Sequence, residues 1–407
     1  MKVQANGFYG FTALAVVALA TAALSQDRSS ADGRGVEAEA AVEEKGEASS
    51  QPESPATGAR EPRIQISLLL DTSGSMSGLI GQAKTQLWKI VNEFIPARRS
   101  GQRPELQVAL FEYGNDGLPA SEGYIRLVTP LTDDLDKVSE ELFALTTNGG
   151  SEFCGQVIQV AADTLDWSPS QDDLKLIFIA GNEPFTQGPV DYPQACRAAI
   201  AKGIVVNTIF CGDRATGERT DWKAGALLAD GDFLSIDQNT RVAHVAAPQD
   251  AEIARLGAEM NETYVPYGKR GEAGKARQAT QDANVTSTGA GNMVQRAVAK
   301  GSANYHNSGW DLVDAVQNGV VKLEDLKAED LPDALRPMSA EQRQAYIAQK
   351  GQQRADLQRQ IQTLNKQRRE CVAAKMKELM ESGKETLDSA VIEVCREQAA
   401  EKGFEFE

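Results

Sequence analysis

The stretch LLLDTSGSM at residues 68–76 decides the fold that we expect for this chain. It ends a nearly continuous apolar run from Ile64 to Leu70, which is typical of a strand buried on both faces of a parallel sheet. A helix is predicted after it. The apolar residues of that helix recur at spacings of three and four: Ile80, Ala83, Leu87, Ile90, Val91 and Phe94. Residues 71–75 therefore connect a buried strand to an amphipathic helix.

The same alternation continues to about residue 265. Further strands are predicted at residues 106–113, 124–128, 174–179, 204–210 and 233–236. Helices are predicted at residues 134–145, 192–202 and 250–260. Strands that alternate with helices of this length indicate a doubly wound, mostly parallel α/β sheet. Ligands of such sheets bind outside the carboxyl ends of the strands, which is where residues 71–75 lie.

Asp71, Ser73 and Ser75 place one carboxylate and two hydroxyls at alternate positions of this loop. All three are hard oxygen donors, which suit Mg²⁺, Mn²⁺ or Ca²⁺ better than Zn²⁺. Gly74 permits a tight backbone path between the serines. Taken alone, the pattern is also typical of a turn that caps a helix. After a buried strand, it predicts a divalent-cation site, with Mg²⁺ as the expected ion.

The stretch resembles the metal-ion-dependent adhesion site of von Willebrand factor A domains, and the similarity extends over about residues 63–265. Residues 149–155 (GGSEFCG) resemble the family's second metal loop, and residues 226–234 (ALLADGDFL) resemble its last passage from helix to strand. The resemblance implies a Rossmann-like domain that binds a partner through a divalent cation and catalyses no reaction. It also implies an unidentified protein partner whose carboxylate completes the metal shell.

Two loops depart from the family's pattern. The second loop lacks the expected Thr after its glycines, so Ser151 or Glu152 takes that place, and Glu152 is the ligand that we expect. The third loop reads AGNEP at residues 180–184 in place of Thr-Asp-Gly, so Glu183 or Asn182 is expected to replace the Asp. Three direct carboxylates would raise the affinity for the cation and weaken the attraction of an acidic partner, which would favour a structural role for the metal.

The N-terminal residues 1–25 have the pattern of a secretory signal peptide, with Lys2, an apolar run from Phe8 to Leu24, and small residues at its end. We therefore predict an exported bacterial protein, periplasmic or secreted. An uncleaved membrane anchor is the alternative. Residues 26–62 are rich in Ala, Glu, Gly, Ser and Pro, which predicts a disordered linker because little apolar surface is available to offset chain entropy.

Three parts are predicted beyond residue 265. Residues 266–305, rich in Gly, Ala, Gln, Asn and Thr, are predicted to be a flexible linker, and residues 306–337 a short helical segment. Residues 338–407 predict a long helical hairpin whose thin apolar stripe packs on its own second arm or, as a coiled coil, on another chain in a homo-oligomer.

Cys371 and Cys395 each lie 12 residues from Gly383, in the expected turn of this hairpin. In an oxidising compartment they are expected to form a disulfide, with two unrelated buried thiols as the alternative. The pairing of Cys154, Cys196 and Cys211 stays open.

The composition weighs against several classes of function. With 42 basic and 58 acidic residues, the chain has a formal net charge of −16, so nucleic acid is not an expected partner. Asp71-Thr72-Ser73-Gly74 also resembles the catalytic turn of aspartic proteases, but those enzymes need two carboxylates that share a proton, and no second such turn occurs. The alternative that remains is a coiled-coil scaffold with the A-like domain as its head.

Overall fold

The structure is a computed structural model that describes residues 60–236, 244–381 and 387–406. The predicted signal peptide and residues 26–59 of the predicted linker lie outside the described residues. The described strands are β1 (Arg63–Asp71), β2 (Ala97–Arg98), β3 (Glu105–Tyr113), β4 (Ile125–Thr132), β5 (Leu174–Gly181), β6 (Val205–Cys211), β7 (Phe233–Ile236) and β8 (Glu405–Phe406).

The described helices alternate with these strands and then continue beyond them. They are α1 (Ser77–Glu93), α2 (Leu135–Ala144), α3 (Cys154–Thr164), α4 (Tyr192–Ala201), α5 (Arg214–Arg219), α6 (Trp222–Leu227), α7 (Asp250–Met260), α8 (Gly271–Ser287), α9 (Ala290–Lys300), α10 (Leu312–Gln317), α11 (Ala340–Glu381) and α12 (Leu387–Glu401). Among the described residues, no helix combines the length and apolar character needed to cross a membrane.

Six strands form one sheet in the order β4-β3-β1-β5-β6-β7. All neighbouring pairs are parallel except β3 and β4, which are antiparallel. The predicted doubly wound, mostly parallel α/β fold is therefore confirmed. The short strands β2 and β8 pair with each other in a separate antiparallel ribbon.

Successive side chains of β1 point to opposite faces of the sheet, and both faces are covered. Ile64, Ile66 and Leu68 belong to one core with apolar residues of α1, α2, α7, α9 and α12. Leu69 belongs to a second core on the other face, with residues of α3, α4 and α6. Burial on both faces explains why the strand reads as an uninterrupted apolar run.

The predicted flexible linker at residues 266–305 is wrong, because the segment forms α8 and α9. Val294 and Val298 of α9 are buried in the same core as α1. The polar composition of residues 266–305 suggests an exposed linker, but several of its charged side chains form ion pairs inside the protein. The side chains of Arg296 and Lys300 are only 3% and 2% exposed, and both form ion pairs with Asp282.

The predicted helical hairpin at residues 338–407 is wrong in its packing. Leu357 and Ile361 of α11 are buried, and α11 lies against α7, α9 and α10. The shorter α12 lies against α1 and β7. Part of the surface that α11 covers is polar, because Arg354 donates hydrogen bonds to Thr263 and Gln362 donates one to the Gly301 carbonyl.

The predicted disulfide between Cys371 and Cys395 is also wrong. All five cysteines of the chain lie among the described residues, and all five are free thiols. Cys395 is buried in the core beneath α12, whereas Cys371 is half-buried on α11. The two helices pack on different parts of the protein. The equal spacing of the two cysteines from Gly383 in the sequence therefore does not bring the thiols together.

Candidate metal site

The loop after β1 is held by hydrogen bonds at both ends. Asp71 is fully buried, and its Oδ1 accepts a hydrogen bond of 2.7 Å from the Ser73 amide. The Thr72 amide donates to the Tyr113 carbonyl at 2.9 Å, which ties the loop to the end of β3. The Met76 amide donates to the Ser73 carbonyl at 3.1 Å, one residue before α1 begins. The loop therefore presents its side chains from a fixed backbone.

The second carboxylate oxygen of Asp71, Oδ2, is buried and has no hydrogen-bond partner among the described residues. Two glycines keep the space around the carboxylate open. A Cβ at position 181 would lie 3.2 Å from Oδ2, and a Cβ at position 114 would lie 2.9 Å from Oδ1. A buried polar atom normally has a partner, because an unpaired one costs free energy. This oxygen therefore fits a bound cation.

The electrostatics of Asp71 agree with this geometry. Burial raises its pKa to about 7; hydrogen bonds from Ser73 oppose the shift, and the charges of Glu152 and Glu183 add to it. Burial also raises the pKa of Glu152, and repulsion from Glu183 and Asp116 contributes. Carboxylates that are crowded and desolvated in this way are stabilised by a cation.

Hydroxyl and amide groups complete one side of the site. The Ser73 and Ser75 hydroxyl oxygens lie 3.4 Å apart. The Asn182 amide, from the loop after β5, donates to the Ser75 hydroxyl at 3.2 Å. The parallel register of β1 and β5 is responsible, because Leu70 pairs with Ala180 and so brings the two following loops together. Asp71, Ser73, Ser75 and Asn182 are therefore neighbours, as the sequence predicts.

The two glutamates occupy different positions. Glu152 is 5% exposed, and a Cβ at position 114 would lie 2.8 Å from its Cγ and 2.9 Å from Asp71 Oδ1, so the absence of a side chain at Gly114 allows the two carboxylates to approach each other. The Glu183 carboxylate accepts a hydrogen bond of 3.3 Å from the side-chain amide of Gln187. The side-chain oxygen of Gln187 in turn accepts one of 3.4 Å from the Glu152 backbone amide. In the described part of the chain, no three His, Cys, Asp or Glu side chains form a metal-binding cluster.

Three further residues contribute to this site and were not predicted from the sequence. Tyr113, Gly114 and Gln187 enclose Asp71 or join the glutamates. The position of Tyr113 could have been found from the sequence, because it ends a strand that runs parallel to β1 and pairs with Asp71. The role of Gln187 depends on the path of a loop rich in Pro and Gly, for which the sequence offers no periodic signal.

Residues 65–222 match the family model of the von Willebrand factor type A domain. This part of the chain is therefore a von Willebrand factor A domain, and the predicted family is confirmed. The matched region contains the candidate metal loop and ends in α6, so β7 and the later helices lie beyond it. No curated protein matches the chain.

Several solved structures are similar to part of the chain. The conserved hypothetical protein BatB from Bacteroides thetaiotaomicron is 16% identical, and the match covers 43% of this chain and 90% of BatB with a TM-score of 0.33. The SpRpn10 VWA domain is 17% identical, with 44% and 90% covered and a TM-score of 0.34. Proximal thread matrix protein 1 from the mussel byssus, described with a zinc-occupied MIDAS motif, is 13% identical, with 44% and 43% covered and a TM-score of 0.33.

Proposed function

We propose that this chain is an exported binding protein that holds a divalent cation at Asp71, Ser73 and Ser75 and uses it to bind a protein partner. The observation that carries the proposal is the buried, unpartnered Asp71 Oδ2 beside two hydroxyls on a rigid loop. Von Willebrand factor A domains commonly mediate binding between proteins and are generally not enzymes, which agrees with this function.

The donor set indicates which ion the site would hold. Asp71, Ser73 and Ser75 are the primary ligands, and Glu152 is the contribution of the second loop. From the third loop we favour Asn182 over Glu183, because the Asn182 amide contacts Ser75 whereas the Glu183 carboxylate contacts Gln187. Oxygen donors with few carboxylates suit Mg²⁺, with Mn²⁺ or Ca²⁺ as alternatives. The bound cation would supply an open position for a carboxylate of the partner.

The ionisable groups near the site support binding more than catalysis. Burial raises the pKa of both the Cys154 and Cys211 thiols, so neither is an activated nucleophile at neutral pH. The two histidines of the chain pair with carboxylates elsewhere: His244 lies 2.8 Å from Asp250, and His306 lies 3.3 Å from Asp133.

The coiled-coil scaffold is the less favoured function. Leu357, Ile361 and Leu364 belong to the apolar stripe of α11 that a coiled coil would need, and they pack on the core of the same chain. A coiled coil requires such a stripe to face another helix over several heptads. In this structure the first part of the stripe, from Leu357 to Leu364, is already covered.

Isothermal titration of the full-length protein with Mg²⁺, Mn²⁺ and Ca²⁺ tests the metal site. The wild type is expected to bind one equivalent, and Asp71→Asn to weaken binding by at least about tenfold, since the substitution removes a charged ligand. Asp163→Asn, at an exposed carboxylate on α3, is the matched control and should bind like the wild type. No heat from the wild type, or equal binding by Asp71→Asn, would contradict the proposal.

A further inference from the structure

The loops around the candidate metal site contain carboxylates and no basic side chain. They are residues 72–76, 114–124, 146–153 and 182–191, and none of these ranges includes a Lys or an Arg. Their acidic residues are Asp116, Glu122, Glu152, Glu183 and Asp191. The chain contains 42 basic residues, yet none of them lies in these four neighbouring loops. The loops therefore form a surface that carries only negative charge.

Three of these carboxylates lie close enough to Asp71 or to one another to interact. The charges of Asp116 and Glu183 both act on Glu152, and the charges of Glu152 and Glu183 act on Asp71. Asp116 is exposed and lies against the second loop, where a Cβ at position 149 would be 2.6 Å from its Oδ2. We call Asp116, Glu152 and Glu183 the acidic rim.

Gln187 keeps Glu183 in this rim. Its side-chain amide donates a hydrogen bond to the Glu183 carboxylate, and its side-chain oxygen accepts one from the Glu152 backbone amide. The backbone carbonyl of Glu183 also accepts a hydrogen bond of 2.7 Å from the Trp222 indole, which is fully buried. Glu183 is thus attached to the protein at both its main chain and its side chain. Its charge acts on both Asp71 and Glu152.

Basic side chains that border the four loops are occupied elsewhere. Arg126 of β4 forms an ion pair with Glu112, which also accepts a hydrogen bond from Thr72. Arg214 of α5 stacks over the Phe233 ring at 5.1 Å and lies 3.8 Å from Glu218. Neither arginine neutralises the acidic rim.

From this arrangement we infer that the acidic rim selects a partner with a cationic surface, in which Lys or Arg side chains flank the carboxylate that reaches the metal. The inference rests on the proposed function, because the buried Asp71 Oδ2 is what places a cation at the centre of the rim. One divalent cation does not balance Asp71 together with the three rim carboxylates, so the surface stays negative when the metal is bound. A partner that offered only acidic groups would be repelled, whereas basic groups beside the carboxylate would be attracted.

Two labelled synthetic peptides test the inference on the full-length protein by fluorescence anisotropy. One is rich in lysine with a single central aspartate, and the other has glutamate in place of every lysine. With saturating Mg²⁺ and low salt, the lysine-rich peptide is expected to bind at least about tenfold more tightly, and high salt should reduce this preference because it screens exposed charges. Equal binding, tighter binding of the glutamate-rich peptide, or binding of neither would overturn the inference.

Charge reversal tests whether the rim is responsible. Asp116→Lys should reduce the affinity for the lysine-rich peptide by about fivefold or more, since it changes a rim charge by two units without touching a proposed ligand. Glu329→Lys makes the same change at a residue whose side chain is 77% exposed, outside the four loops, and should behave like the wild type. Equal losses in both variants would overturn the assignment to the rim.

Calorimetry with Mg²⁺ separates this inference from the proposed function. If the wild type binds no metal, the proposed function fails, and the two peptides are compared without metal. A preference for the lysine-rich peptide that Asp116→Lys abolishes would then still support the rim as a surface for cationic partners. Absence of that preference would overturn the inference as well.

Discussion

The side-chain amides of Asn207 on β6 and Gln398 on α12 form a reciprocal hydrogen-bonded pair, although 191 positions separate them in the sequence. The Asn207 amide donates at 2.9 Å and the Gln398 amide at 2.7 Å, and Gln398 also donates to Asp232 at 2.9 Å. Both residues of the pair are buried. The end of the chain therefore packs on the central sheet, well beyond the region that matches the family.

This pair predicts that the C-terminal helix stabilises the sheet. Gln398→Leu removes the acceptor of the buried Asn207 side-chain amide and a donor to the half-buried Asp232 carboxylate, and we expect a loss of about 1–3 kcal/mol in the free energy of unfolding. Chemical denaturation measures it. Gln353→Leu, at an exposed residue of α11, is the control and should change stability little. Equal stability of Gln398→Leu and the wild type would show that α12 does not depend on this contact.

A second prediction concerns Asp71 in the absence of metal. Its pKa is raised to about 7 in the folded state, so its contribution to stability is present below its unfolded pKa, near pH 4, and is lost as the pH rises through 7. Above pH 7 the folded protein must bury a charged carboxylate. Asp71→Asn removes this charge, and we expect it to stabilise the metal-free protein by up to about 4 kcal/mol at pH 8, since each pKa unit corresponds to about 1.4 kcal/mol.

Thermal unfolding with EDTA and with excess Mg²⁺ measures this effect. Mg²⁺ should raise the unfolding temperature of the wild type, because a ligand that binds only the folded state stabilises it, and should not raise that of Asp71→Asn. The prediction fails if Asp71→Asn is less stable than the wild type in EDTA at pH 8.

The buried ion pairs of α8 and α9 predict sensitivity to acid. Burial alone would raise the pKa of Asp282, but Lys300 and Arg296 outweigh it and lower the pKa to about 2. The stability that this carboxylate contributes is present above its unfolded pKa, near 4, and is lost as the pH falls from 4 toward 2. The wild type should lose about 2 kcal/mol from this group over that range.

Denaturation of Asp282→Asn at a series of pH values checks this assignment. The variant should be less stable than the wild type at neutral pH, because Arg296 and Lys300 lose a partner, and the difference should shrink between pH 4 and 2. Asp163→Asn, which alters an exposed ion pair, should follow the wild type. A difference that stays constant across this range would rule out Asp282 as the titrating group.

The thiols give a direct check on the C-terminal packing. All five cysteines are free, and Cys371 is the one that is not buried. We expect one thiol of the native protein to react rapidly with an aromatic disulfide reagent, and Cys371→Ser to remove this fast phase, since buried thiols with a raised pKa react slowly. Mass spectrometry of peptides digested without reduction that showed a bond between Cys371 and Cys395 would contradict the structure.

The sequence predicts the fold well where a local pattern and its burial agree. The apolar run of β1 and the residues Asp71, Ser73 and Ser75 lie in one short stretch, so period and position were enough to place them. Asn182 was reached through the rule that parallel strands end at one edge of a sheet.

The prediction failed where burial depends on polar partners that are distant in sequence. Arg296 is 2% exposed and pairs with Asp136, 160 positions away, so composition alone made its segment look like a linker. The packing of α12 could not be predicted for the same reason. Its apolar and polar pattern indicates a helix but does not show which part of the sheet the helix contacts. Gln187 joins two loops that the sequence treats separately.

The most direct test of a metal site at Asp71, Ser73 and Ser75 is anomalous diffraction from crystals of the full-length protein grown with Mn²⁺, which has a strong anomalous signal and shares the ligand preferences of Mg²⁺. We expect one anomalous peak within coordination distance of the Ser73 and Ser75 hydroxyl oxygens, next to the Asp71 carboxylate, in the wild type but not in Asp71→Asn. A wild-type crystal with no peak at this loop, or with Mn²⁺ bound only elsewhere, would contradict cation binding at Asp71, Ser73 and Ser75.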